Sequence, residues 1–146
     1  MELTIEIHNL KPINTNNYQK ITTRGRFASK YKTAEAVEFE NEIENQILQY
    51  MPKIKKFNDH YDSKKHFIIC DYKFYFPVLT KKGLIAKRKN DVDNLIKPFQ
   101  DCIFKYFKPD DSEIIHLSAS KIHHLDYKIE VSIKSLHIEH MAQLYT

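Results

Sequence analysis

Two carboxylates stand two residues apart in Asn90-Asp91-Val92-Asp93-Asn94, and a further pair closes Pro109-Asp110-Asp111. In extended chain entering a helix, side chains at i and i+2 project to the same side, so Asp91 and Asp93 can share one cation. Asp111 lies 18 residues beyond Asp93, past a segment with helical spacing, where a chain turning back would return another carboxylate to the first two. Hard divalent ions such as Mg²⁺ take oxygen ligands. An ion held this way can generate a hydroxide nucleophile and stabilise the leaving oxygen in phosphodiester cleavage. Lys97, one turn into the helical segment, would set a cation where it offsets charge on the scissile phosphate.

Each piece also has an ordinary explanation. Capping is the commoner fate of Asp93 or Asn94 at a helix start, Pro109-Asp110-Asp111 alone reads as a turn, and Lys97 can be the surface partner of Asp101. On spacing alone these alternatives stay open. His116, His123 and His124 lack a cysteine or carboxylate at zinc-like spacing, so they read as exposed strand and turn residues.

Charge points toward a polyanionic partner. The chain has 23 basic and 19 acidic residues, a formal net charge of +4 that alone says little. Its distribution says more. Residues 10–32 carry Lys11, Lys20, Arg24, Arg26, Lys30 and Lys32 and no acid, and Lys81, Lys82, Lys87, Arg88 and Lys89 run directly into Asp91. Clustered cations of this kind are the footprint of phosphate-backbone contacts; Arg24, Arg26, Lys30, Lys87, Arg88 and Lys89 are the candidate DNA contacts. The acids Glu35, Glu38, Glu40, Glu42 and Glu44 gather instead on one predicted helix. The lysines between Lys53 and Lys65 read as a solvated surface.

The elements that must position these groups can be sketched from periodicity. Leu3, Ile5 and Ile7 alternate with polar residues, predicting a first strand over Met1 to His8. Lys11 to Lys32 reads as a loop with a turn at Arg24-Gly25-Arg26. Thr33 caps a helix whose Ala36, Phe39, Ile43, Ile47 and Tyr50 form one apolar stripe ending before Pro52. A Lys-rich connection follows, then a strand over His66 to Phe76, dense enough in Ile, Phe and Tyr to be buried on both faces and stopped by Pro77. Leu79 to Asn90 is basic and irregular. Leu95, Phe99, Cys102, Ile103 and Tyr106 mark a second helix, which Pro98 would delay to about Ile96 or Lys97. Ile114–Lys121 and Tyr127–Lys134 read as two strands paired as a hairpin around His124 to Asp126, and the tail from Leu136 as a short terminal helix. The expectation is an α+β fold: one small domain over residues 1–146, a mixed sheet with two main helices, order β-α-β-α-β-β, helices on one sheet face.

Composition excludes other classes. A total of 146 residues suits one core, and 42% apolar content argues against disorder. Two glycines cannot build a phosphate-cradling loop, so no nucleotide cofactor is expected. Cys70 and Cys102 read as reduced thiols. With no signal-peptide pattern at Met1 to His8 and no apolar run of membrane-spanning length, a cytoplasmic location is expected.

One pattern draws these fragments together: Asn90-Asp91-Val92-Asp93-Asn94-Leu95-Ile96-Lys97, then Asp101, then Pro109-Asp110-Asp111-Ser112-Glu113-Ile114-Ile115, closing with Lys121. It resembles the RusA family of Holliday-junction resolvases, whose signature is D-x-D-N-hydrophobic-x-K, a helix with an internal Asp, D-D-x-x-hydrophobic, and a trailing Lys. Pro12, Asn14, the basic turn Arg24-Gly25-Arg26-Phe27 and the helix from Thr33 agree more loosely. Phe104 to Lys108 lacks the small or Gly-containing turn of the family. The resemblance implies a homodimeric, Mg²⁺-dependent endonuclease, with Mn²⁺ able to substitute, that resolves four-way DNA junctions by paired nicks in recombination and repair and is often encoded by phages or prophages. It also implies that Asp91, Asp93 and Asp111 bind the metal, that Asp110 is a supporting acid and that Lys97 is the catalytic lysine. The alternatives are a basic DNA-binding protein without activity and a nuclease of broader branched or flap DNA.

Overall fold

The computed structural model describes residues 1–140. Its frame is a four-stranded mixed sheet of β1 (Glu2–His8), β4 (His66–Pro77), β5 (Ile114–His124) and β6 (Lys128–His137), in the order β1-β6-β4-β5. β6 runs antiparallel to both neighbours, with Ile5 opposite Val131 and Cys70 opposite Ile133. β5 runs parallel to β4, with Tyr72 opposite Ala119. One face carries the core: Leu3, Ile5 and Ile7, then Ile129, Val131 and Ile133, then Ile68, Cys70, Tyr72, Phe74 and Phe76, all buried. Three helices cover it: α1 (Ala34–Ile47), α2 (Met51–His60) and α3 (Asp93–Phe104). The rings of Phe39 and Tyr72 meet Phe99 edge-on, at 6.5 and 6.1 Å between centroids. No helix among the described residues is long and apolar enough to cross a membrane.

The α+β class, the mixed sheet and the two main helices are as expected, and several details differ. The Lys-rich connection is helical. Pro52 ends nothing: a 3-10 turn over Leu48–Tyr50 breaks the axis, and the proline sits in the first turn of α2, where its missing N–H would have no helical acceptor. Ile54 and Phe57 then bury against the core. β4 alternates buried and half-buried residues, because the far side of the sheet is polar and uncovered. On that side Lys73 pairs with Glu130 at 3.6 Å and Ser132 donates to Glu2 at 2.9 Å.

The last two strands do not form a hairpin. Residues 125–127 carry the chain over the end of β4, so that β5 and β6 flank it, with Pro77 opposite His124 and Tyr75 opposite Lys128. Two strand spacings are about 10 Å, within reach of three extended residues. The apolar β4 gains a partner on each edge, and the polar β5 takes the sheet's margin. Parallel pairing then demands a crossover, which is the segment holding α3. Leu136 and His137 belong to β6 and are followed by a 3-10 turn over Ile138–His140; the rest of the expected terminal helix lies outside the described residues.

Residues 19–32 are not a loop. β2 (Gln19–Arg24) and β3 (Phe27–Lys32) form a separate antiparallel ribbon closed by Gly25 and Arg26. Gly25 takes φ +60°, the left-handed value required at the first central position of a type II′ turn.

α3 begins at Asp93, earlier than Pro98 alone would permit. A proline inside a helix leaves the carbonyl four residues before it without a donor, here that of Asn94. The Thr15 hydroxyl supplies the bond at 2.8 Å. Thr15 opens the short 3-10 turn before β2, so this bond also ties the root of the ribbon to α3.

Candidate active site

Residues four apart on a helix share a face, so Asp93, Lys97 and Asp101 form a polar stripe on α3 while Leu95, Phe99, Cys102 and Ile103 are buried. Asp93 is not a cap. Val92 holds that position and makes no side-chain bond. Lys97 is more than the partner of Asp101: its Nζ lies 2.8 Å from Asp101 Oδ1 and also 2.8 Å from Asp111 Oδ2. Asp111 opens a 3-10 turn, Asp111–Glu113, just before β5, so the crossover does return this carboxylate to α3.

Behind that ion pair lies a support that sequence reasoning missed. Gln100 Nε2 donates to the same Asp111 oxygen at 3.1 Å, and the Tyr72 hydroxyl donates to Gln100 Oε1 at 2.9 Å. Tyr72 and Gln100 are both buried. A glutamine directly after Phe99, in the helix's apolar stripe, was the available signal, since a buried amide must find partners. The core thus fixes the amide and the amide fixes the carboxylate. The ammonium of Lys97, foremost, and then the Gln100 amide hold the Asp111 carboxyl below the usual range. Asp101 and then Asp111 raise Lys97 above the ordinary lysine value, so it is cationic at neutral pH. Asp110 accepts from the Ser112 hydroxyl at 2.7 Å and sits beside Asp111.

Asp91 and Asp93 are exposed. The loop that delivers them is pinned from the sheet: Lys121 on β5 donates to the carbonyls of Arg88 and Asn90 at 3.0 and 2.6 Å. The trailing lysine of the motif therefore has a structural task, holding the chain that runs into Asp91. Lys97 and Gln100 engage only Oδ2 of Asp111. The donor set, three aspartates with hard oxygen atoms, suits Mg²⁺ or Mn²⁺ in kind. Among the described residues, however, no three His, Cys, Asp or Glu side chains come together as a group able to hold a metal ion. Asp111 is joined to Lys97 and Asp101, and Asp91 and Asp93 complete no such group with it.

The candidate DNA contacts fall in two places. Arg26 lies exposed in the ribbon turn and Lys30 exposed on β3, with Arg24 at the end of β2. Lys87 and Lys89 are exposed in the loop before Asp91. Arg88 is committed inward: its Nη2 donates to the Pro77 carbonyl at 3.2 Å and its guanidinium lies over the Tyr127 ring at 5.8 Å. His116, His123 and His124 are exposed on β5. A cleft of about 200 Å³, lined by Thr15, Tyr18, Gln19, Lys97, Pro98 and Asp101, joins the ribbon's root to the catalytic lysine candidate.

No curated protein matches the chain significantly. The family profile described as "Endodeoxyribonuclease RusA" matches residues 9–134, a span holding the ribbon, α3, the Asp111 turn and β5, and by that coverage the chain belongs to the RusA family of endodeoxyribonucleases.

Proposed function

We propose that the chain is a magnesium-dependent, homodimeric endonuclease that resolves four-way DNA junctions by paired symmetric nicks in recombination and repair. The observation that carries this reading is the fixed row Tyr72, Gln100, Asp111, Lys97, Asp101 beside Asp93, within a family of endodeoxyribonucleases. Asp91, Asp93 and Asp111 would hold the ion, and Mn²⁺ would serve in its place. When bound, it supplies a hydroxide at neutral pH and charge stabilisation for the leaving oxygen.

The chain's own residues do the rest. Gln100 keeps the Asp111 carboxylate oriented, so little reorganisation accompanies substrate binding. Lys97, held by two carboxylates, offers its ammonium to a non-bridging oxygen of the scissile phosphate. Asp110 adds negative potential beside Asp111, and the exposed Lys87 and Lys89 lie in the pinned loop that runs into Asp91. Two copies related by a two-fold axis match a junction with two equivalent strands to cut.

The test is a synthetic four-way junction incubated with Mg²⁺ or Mn²⁺, beside a flap and a linear duplex of equal length. Symmetric nicks in the junction alone, lost in EDTA and in Asp93→Asn, are expected. Binding without cutting makes the chain a DNA-binding module, and equal cutting of flap and junction makes it a nuclease of broader branched DNA.

A further inference from the structure

The β2–β3 ribbon has no counterpart in the core. Every residue of β3 is exposed, although it includes Phe27 and Tyr31. Phe27 is 81% exposed beside the turn, Tyr31 is 48% exposed nearer the root, and Ile21 on β2 is 64% exposed. Directly paired residues of an antiparallel ribbon share a face. The register sets Phe27 opposite Arg24, Ser29 opposite Thr22 and Tyr31 opposite Lys20, so one face alternates aromatic rings with hydroxyls and a lysine. Two rings left in water forgo their burial free energy, so folding stability does not account for them. Residues 10–32 contain no acid, so the ribbon's charge is complementary to phosphate and repels that of a second ribbon. Its six-residue strands reach roughly 20 Å, and Gln19 at its root lines the cleft that also contains Lys97.

Resting on the branched-DNA reading above, we propose that this face is a stacking surface for bases exposed at a DNA branch point: Phe27 and Tyr31 take the open base faces, and Lys20 and Arg26 take the flanking phosphates. Rings stack on any base without reading its identity, which suits recognition of a branch and not of a sequence. Linear duplex offers no open base face away from its ends, so the rings engage only where stacking is interrupted. The same engagement would seat the branch beside the Lys97 cleft.

The chain has no tryptophan, so Phe27→Trp places a single reporter on the face. With EDTA present to prevent cutting, the four-way junction should quench its emission at least twofold, and a linear duplex of equal length should not. Phe27→Ala should lower junction affinity on the order of tenfold, leave duplex affinity unchanged and melt with the wild type, whereas Phe27→Tyr restores junction binding. Unchanged emission from a variant that still cuts junctions overturns this inference and leaves the function standing. Equal quenching by duplex, or an emission shift with protein concentration in the absence of DNA, also overturns it, the latter assigning the face to a second copy. A protein that neither binds nor cuts any branched DNA overturns both readings.

Discussion

The acidic row on α3 and the basic ribbon are held by opposite means. The row is supported from beneath: a buried tyrosine positions a buried glutamine, which positions Asp111, which with Asp101 positions Lys97. The ribbon has no such support. Its two strands form a sheet of their own, and its ties to the body lie at the root, where Thr33 donates to the Asn17 carbonyl at 2.7 Å, Lys32 pairs with Glu40 at 2.7 Å, and the Tyr18 hydroxyl donates to Glu40. Groups that meet developing charge must be pre-placed to within fractions of an ångström; groups that hold a flexible polyanion need only reach it. On the proposed function, burial would serve where geometry decides the rate, and exposure where charge decides the encounter.

That contrast breaks most severely at Asp111. Asp111→Asn should reduce junction cutting by roughly 10²–10³-fold or more while junction affinity holds or rises, because one repelling charge is gone; loss of binding, measured by gel shift, would contradict this division of labour. Lys97→Met should cost about 10²-fold in cutting with little change in melting, since its ion pairs are largely exposed and such pairs contribute about 0–1 kcal/mol. A melting drop comparable to a core mutation would show that the pair is structural. Removing that ammonium also frees the Asp111 carboxyl to titrate higher, so the acid limb of the pH–rate profile should move to higher pH.

On the ribbon, Arg26→Ala with Lys30→Ala should weaken junction and duplex alike and make the log affinity against log salt plot shallower by about 0.9 for each phosphate no longer neutralised. An unchanged slope would place both cations off the DNA. The smallest effect sharpens the support: Gln100→Leu should destabilise by about 1–3 kcal/mol, by stranding the Tyr72 hydroxyl and removing one donor to Asp111. Because Asp111 is held below its unfolded value, its contribution to stability is full above about pH 4 and is lost as pH falls through the lowered folded value. The gap between variant and wild type, measured by thermal melts, should therefore narrow in acid; a gap independent of pH would confine the effect to Tyr72.

Much of this was legible in order along the chain. The first strand, the Thr33 cap, the α1 stripe, the family motif and the return of Asp111 all follow from local spacing or from fixed distances between motif residues. What escaped depends on partners distant in sequence. Among the described side chains of β2 and β3 none is buried, so no alternation of apolar and polar residues announces them. α2 hid behind Pro52, whose meaning depends on whether it falls inside a helix or at its start. The parallel pairing of β5 with β4 depends on which strand needs two covered edges, and the roles of Gln100 and Lys121 depend on atoms that meet only after folding. Spacing brings Asp91 and Asp93 together on one stretch and returns Asp111 to α3, but it carries no sign that Lys97 takes the Asp111 oxygen.

The hydroxyl of Thr15 on the Asn94 carbonyl makes the two arms mechanically continuous. The orphaned acceptor sits one residue beyond Asp93, and the donor opens the turn that carries the ribbon. The ribbon's root and the first turn of α3 are thereby fastened to each other, which ties the placement of the ribbon to that of the helix start that carries Asp93.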